Sequence, residues 1–102
     1  MSILDDITVV INIKENTTVE LTDNVKIAVF ENNCSYNIKD FVIYLPLYSY
    51  DGKVMYLNNL TTSTITIKSK DGTIDTREGI RHLGPYMSRI FGYVDIIGWI
   101  TL

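Results

Sequence analysis

Apolar and polar residues alternate with a period of two along residues 7–14, where Ile7, Val9, Ile11 and Ile13 stand between Thr8, Val10, Asn12 and Lys14. That is the pattern of a strand with one buried face. Alternation resumes at Thr18-Val19-Glu20-Leu21 after the polar turn Glu15-Asn16-Thr17, which predicts a hairpin. A second predicted hairpin joins residues 64–68 to residues 73–75 through Asp71-Gly72, a dipeptide suited to a type I′ turn. A third hairpin signal is Asp51-Gly52, between residues 41–50 and residues 53–57.

The segments that follow admit two readings. Thr76 could cap a short helix on which Ile80, Leu83 and Met87 keep helical spacing, with Gly84-Pro85 breaking it. Thr22-Asp23-Asn24 is a similar start, yet Val25, Ile27 and Val29 alternate with Lys26 and Ala28 and are β-branched, which favours a strand. An internal likeness arbitrates. Ile11-Asn12-Ile13-Lys14 recurs as Ile65-Thr66-Ile67-Lys68, Thr18-Val19-Glu20 as Thr73-Ile74-Asp75, and Asp23-Asn24-Val25-Lys26 as Glu78-Gly79-Ile80-Arg81. Phe41-Val42 returns as Tyr93-Val94.

Equivalent segments should share a structure, so a short helix is expected in both copies. The resulting expectation is an α+β fold with two related β-rich motifs, residues 1–52 and 53–102, each made of antiparallel hairpins and one short helix. With 102 residues the chain suits a single domain in which the two motifs share a core. The closing strands of the motifs differ in parity. Phe41, Ile43, Leu45 and Leu47 form one face in the first, against Val94, Ile96, Ile100 and Leu102 in the second. A bulge near Pro46 or Gly98, or burial of both faces, would reconcile them.

Composition narrows the function classes. A hydrophobic fraction of 46% with 21% charged residues is that of a folded soluble domain. No apolar run approaches the roughly 20 residues that span a bilayer, and Met1-Ser2-Ile3-Leu4-Asp5-Asp6 lacks the basic and apolar regions of a signal peptide. No membrane association is expected. The single Cys34 permits no intramolecular disulfide and no cysteine-based metal site. A net charge of -3 argues against broad phosphate neutralisation, but acids dominate through Asp51 and bases after it. That asymmetry could bring the two halves together or associate two copies as a homodimer.

Candidate chemistry is sparse. His82, the sole histidine, has Glu78 and Asp75 nearby in sequence, which falls short of the three or four ligands a metal site needs. The alternative is an ordinary surface histidine beside a carboxylate. Phosphate loops and hydrolase or metalloprotease signatures are missing, so catalytic residues, metal and cofactor are all read as none, and the chain as a non-enzyme. Asn-x-Ser/Thr sequons begin at Asn16, Asn33 and Asn59, a number that chance explains in a chain so rich in these residues.

Two sets of side chains remain. Lys68, Lys70, Arg77, Arg81 and Arg89 make the second half mildly basic, with Tyr86, Phe91 and Tyr93 interleaved, and Arg77, Arg81 and Arg89 could bind single-stranded nucleic acid weakly, although nearby acids dilute the patch. Tyr44, Tyr48 and Tyr50 share one face of a strand, Tyr56 lies on the strand expected to pair with it, and Trp99 comes from the second motif. Together they could wall a groove that holds a peptide or protein segment. The competing reading places these rings in the core. Non-catalytic protein recognition is therefore expected, with nucleic-acid binding as the alternative.

The whole chain, through its length and through Ser2-Ile3-Leu4-Asp5-Asp6-Ile7-Thr8 and Gly92-Tyr93-Val94-Asp95-Ile96-Ile97, resembles the small Ile- and Tyr-rich proteins of filamentous viruses of hyperthermophilic archaea. The resemblance implies a viral accessory or structural protein, acting in the host cytoplasm or in the virion. It carries no functional motif. The abundance of Asn departs from the usual composition of thermophile proteins.

Overall fold

The alternation along residues 7–31 has a different outcome from the hairpins it predicts, because successive strands enter two different sheets. A computed structural model describes residues 7–32 and 38–102. Its strands are β1 (Ile7–Asn12), β2 (Thr18–Glu20), β3 (Val25–Glu31), β4 (Val42–Leu45), β5 (Val54–Asn59), β6 (Ile65–Ser69), β7 (Thr73–Ile74), β8 (Arg77–Glu78), β9 (Arg81–Leu83), β10 (Ser88–Val94) and β11 (Gly98–Thr101). One sheet, A, has the order β1-β3-β5-β10-β11; the other, B, has the order β2-β4-β6-β9; β7 and β8 form a separate hairpin.

In the first six strands the odd ones stack in parallel in sheet A and the even ones in parallel in sheet B. The chain thus runs as a flattened coil, crossing from one layer to the other at each turn. Parallel neighbours require a crossover connection, and here the crossover is a strand of the opposite sheet. Antiparallel strands then finish each layer: β9 beside β6, and β10 beside β5 with β11 beyond it.

The fold is all-β among the described residues, which corrects the α+β expectation. Residues 25–31 are a strand, as their β-branched alternation allowed, and the likeness to the second half misled by favouring a helix. Thr76 does not cap a helix. It has φ of +65° and, with Asp75 at +60°, makes the two central residues of the β7–β8 turn. Residues 81–83 pair with β6, and Gly84-Pro85-Tyr86-Met87 closes a β-turn by a Met87 N–H bond to the Gly84 carbonyl at 3.2 Å. With Pro85 second and Tyr86 at φ of +56° third, it has the type II form.

The three predicted hairpins are crossings as well. β1 and β2 lie in different sheets, as do β4 and β5, and β7 pairs with β8 rather than with β6. Asp51-Gly52 and Asp71-Gly72 do turn the chain, with Gly52 at φ of +90° and Gly72 at +84°. A tight turn reverses the chain whether it then pairs with the previous strand or moves to the other layer, so turn chemistry alone does not distinguish them. Segments matched by the internal likeness also occupy different sheets: Ile11 is in β1 of sheet A, and residues 65–68 are in β6 of sheet B.

Between the layers lies one core. Ala28, Phe30, Met55, Leu57, Phe91 and Trp99 come from sheet A; Ile43, Leu45, Ile65, Ile67 and Leu83 come from sheet B. Phe30 and Phe41 meet edge to face across it, with ring centroids 6.3 Å apart. The parity conflict of the closing strands disappears: residues 95–97 form a turn, so Val94 and Gly98 are partners across a hairpin and Ile96 is exposed. The bulge lies elsewhere, at Ile7/Thr8 against β3.

The two outward faces differ sharply. Sheet B presents Thr18, Val42, Thr66 and His82 in one row and Glu20, Tyr44 and Lys68 in the next. Sheet A presents Thr8, Ile27, Tyr56, Ile90 and Leu102 in its middle row. Val10, Val29, Asn58 and Ser88 flank it on one side, and Val54, Gly92 and Ile100 on the other.

Candidate functional site

The outer face of sheet B and the β7–β8 hairpin enclose a cleft of about 520 Å³. Alternation along β4 and β6 turns Ile43 and Ile67 into the core and Tyr44 and Lys68 outward into this space. The turn after β6 supplies Lys70 and Gly72, and the hairpin wall supplies Glu78, Gly79 and Ile80. The floor is aromatic, two cations stand beside it, and an acid and an exposed Ile form the hairpin side.

Electrostatics within the cleft are organised around Tyr44. Lys70 Nζ lies 5.1 Å from the centre of the Tyr44 ring, a cation–π position, and pairs with Glu20 of β2. The Lys70 side chain thereby reaches from the end of β6 across β4 to the edge strand. Lys68 makes no ion pair with the described residues and stays directed into the cleft. At the mouth, Asp71 accepts hydrogen bonds from Ser69 and from Thr73, whose N–H is at 2.9 Å and hydroxyl at 3.0 Å. Burial by itself would raise its carboxyl, but these bonds outweigh that and hold it below the ordinary 3.8.

Of the five aromatic residues singled out in the sequence, Tyr44 alone lines this cleft. Tyr48 and Tyr50 are exposed in the connection after β4, and Tyr50 carries the Lys53 ammonium 5.6 Å from its ring centre. Tyr56 is on the outer face of sheet A, so its strand does not pair with that of Tyr44. Trp99 is only 1% exposed. Its indole N–H donates to the Pro46 carbonyl at 2.8 Å, and Tyr93 meets its ring edge to face at 5.1 Å. The five rings therefore form no common wall: one lines a cleft, three lie elsewhere on the surface, and one joins the two layers from inside.

The three arginines are dispersed. Arg77 is exposed on β8, Arg81 is on β9 at the edge of sheet B, and Arg89 is on β10 of sheet A. Arg81 is also committed: it donates to Asp75 at 3.0 Å and to the Ile74 carbonyl at 3.2 Å. His82 faces outward opposite Thr66, while Asp75 is occupied by Arg81 and by the Thr101 N–H and hydroxyl. Among the described residues no group of three His, Cys, Asp or Glu is placed to hold a metal ion. Cys34 and the Asn33 sequon lie outside the described residues. The Asn59 side chain is buried and fully engaged, which leaves no room for a glycan. Among the described residues no helix is long and apolar enough to cross a membrane.

Reasoning from sequence put Lys68 and Lys70 in a basic patch and Glu78 beside His82, and missed that all three share a cleft with Tyr44. A signal was present: Lys68 and Lys70 have the same parity on a strand whose intervening residues are buried. No protein-family model matches the chain, and no curated protein matches it.

Proposed function

We propose that this chain is a non-catalytic protein-recognition module that takes an extended peptide segment of a partner into the cleft between sheet B and the β7–β8 hairpin. The observation that carries this reading is the placement of Tyr44, Lys68 and Ile80 around one open space. An aromatic floor and an aliphatic wall suit an apolar side chain, while Lys68 suits a carboxylate beside it. Glu78 on the hairpin wall adds an acceptor for a donor group and so gives the segment a direction. The preferred ligand is an extended segment with an acidic residue next to an apolar one. Given the resemblance to proteins of archaeal filamentous viruses, such a module would act in the host cytoplasm or in the assembling particle.

The test is selection of a random 12-residue peptide library on the immobilised chain, followed by measurement of the enriched peptides on variants. The reading expects enriched sequences to share an acidic–apolar pair and to lose at least tenfold in affinity with Tyr44→Ala and with Lys68→Ala. Enriched peptides that bind both variants as well as the parent chain would remove the cleft as the site.

A further inference from the structure

The cleft holds a carboxylate–lysine contact of the chain's own making. Glu20, Tyr44 and Lys68 stand in one outward row across β2, β4 and β6. Yet Glu20 pairs with Lys70, two residues beyond the Lys68 of its own row. Strands two places apart in a sheet are separated by about 9.6 Å, so the two side chains meet above the ring that lies between them. The Lys70 ammonium sits 5.1 Å from the centre of that ring. Both partners are open to water, with side chains 36% exposed at Lys70 and 59% at Glu20. An ion pair so exposed is weak, equivalent to about two- to fivefold in an equilibrium constant, and a competing carboxylate can replace it.

We infer that Lys70 is a second carboxylate subsite of this cleft, occupied by Glu20 in the free chain and by an acidic side chain of the bound segment in the complex. The inference rests on the peptide-binding reading above and makes its ligand more definite. Among the residues that line the cleft, Lys68 and Lys70 face one acid, Glu78. Glu20 reaches in from β2 and offsets the remaining cation. Asp71, at the mouth, is engaged by Ser69 and Thr73. A ligand with one carboxylate therefore gains Lys68 alone. A ligand with two gains Lys70 as well, by exchanging one ion pair for another while Glu20 returns to water.

Spacing sets the recognised pattern. Lys68 and Lys70 both line the cleft and stand two residues apart at the end of β6, about 6.6 Å along the chain. Residues i and i+2 of an extended segment have the same separation and point the same way. A segment lying along β6 thus presents acids at i and i+2 to the two lysines. The residue between them points the opposite way, toward the hairpin wall, where Ile80 is half exposed. The preferred ligand is an extended acidic–apolar–acidic run. A carboxylate is the group assigned to Lys70, because the Glu20 carboxylate is the group that Lys70 holds in the free chain.

Fluorescence anisotropy of the full chain at low ionic strength tests this with two labelled, end-capped pentapeptides, Gly-Asp-Leu-Asp-Gly and its uncharged counterpart Gly-Asn-Leu-Asn-Gly. The parent chain should bind the acidic probe more tightly than the uncharged one. Glu20→Gln should tighten the acidic probe by a further factor of about two to five and leave the uncharged probe unchanged. Glu31→Gln, the same change of charge at the end of β3 in sheet A, should do neither. In a Lys70→Gln background the gain from Glu20→Gln should vanish, the signature of one shared contact. Equal affinity of the parent and Glu20→Gln for the acidic probe would overturn the inference. So would a gain that survives Lys70→Gln, or the failure of both probes to bind either chain at millimolar concentration. Failure of the cleft itself reads differently: peptides enriched on the chain would then bind Tyr44→Ala and Lys68→Ala as well as they bind the parent. If those two variants lose binding while Glu20→Gln gains none, the cleft is the site and Lys70 is no part of it.

Discussion

Arg81 holds the Asp75 carboxylate at 3.0 Å and, through it, ties the edge of one sheet to the edge of the other. Arg81 belongs to β9 of sheet B; the same carboxylate accepts the Thr101 N–H at 2.7 Å and the Thr101 hydroxyl at 2.8 Å from β11 of sheet A. Partial burial would raise the Asp75 carboxyl, but the bonds from Thr101 and the bond and charge of Arg81 outweigh it and hold the group below 3.8. A carboxyl lowered in the folded state binds protons more readily when unfolded. Its contribution is therefore fully present above the unfolded value of about 3.9 and is lost as pH falls through the lower folded value.

The first prediction follows from that sign. Stability measured by urea should be flat from neutral pH to about pH 5 and then decline as both Asp71 and Asp75 take up protons. Asp75→Asn should lower neutral stability by about 1–3 kcal/mol, because it removes a charge-assisted bond that Arg81 has made. It should also flatten the acid decline. A variant with the parent's acid profile would show that another group sets it.

The turn that carries Asp75 yields the second prediction. Asp75 and Thr76 both have positive φ, at +60° and +65°, the type I′ geometry between Ile74 and Arg77. For a β-branched residue this region is strained by about 1–2 kcal/mol. Thr76→Gly removes the Cβ that causes the strain, and Asp-Gly is a favoured pair for this turn. Set against the extra freedom glycine gives the unfolded chain, the net expectation is stabilisation of about 0.5–1 kcal/mol, seen as a higher thermal midpoint. A lower midpoint would contradict it.

The same turn shows what could and could not be read from the sequence. Strand alternation was legible wherever one face is buried: Phe41, Ile43 and Leu45 lie inward and Val42 and Tyr44 outward, as their parity predicts. Turn positions were legible too, at Asp51-Gly52 and Asp71-Gly72. Pairing was not. Whether a strand joins its predecessor or crosses to the other layer depends on contacts 18 or more residues away, such as Ile7 with Val25 and Ile27 with Tyr56, and no local propensity encodes them. The true type I′ turn was hidden because Asp75-Thr76 lacks the glycine that advertises it. The cleft was half legible: parity exposed Tyr44, but its proximity to Lys70 and Glu20 requires β2, β4 and β6 to be neighbours.

Asn59 supports the third prediction. It is fully buried, and its amide nitrogen lies 2.7 Å from the Ser63 carbonyl, 3.1 Å from that of Leu83 and 3.0 Å from that of Gly84. Its oxygen accepts the Thr61 N–H at 2.9 Å and the Thr61 hydroxyl at 2.7 Å. One side chain thus organises the crossing from β5 to β6 and anchors the end of β9. Asn59→Ala leaves several backbone groups without partners in a dry site, so a loss of about 2–4 kcal/mol is expected in urea unfolding. Asn59→Asp should also destabilise, since its second oxygen would face carbonyl oxygens in place of a donor. Near-parental stability in both variants would mean that water takes over these bonds.

The last prediction separates aromatic residues that hold the fold from those that lie on its surface. Trp99 is buried, bonded to the Pro46 carbonyl and packed against Tyr93, whereas Tyr48 is 74% exposed. Trp99→Ala opens a cavity between the layers and breaks the link from β11 to the end of β4, so a loss of about 3–5 kcal/mol is expected. Tyr48→Ala should change stability by less than about 0.5 kcal/mol. The parent chain provides its own probe, because Trp99 is the only tryptophan. Its emission should be blue-shifted when folded, resistant to acrylamide, and should move to longer wavelength in step with the loss of strand signal. Emission that is quenched freely in the folded chain would place Trp99 at the surface and would detach β11 from the layer it is described as closing.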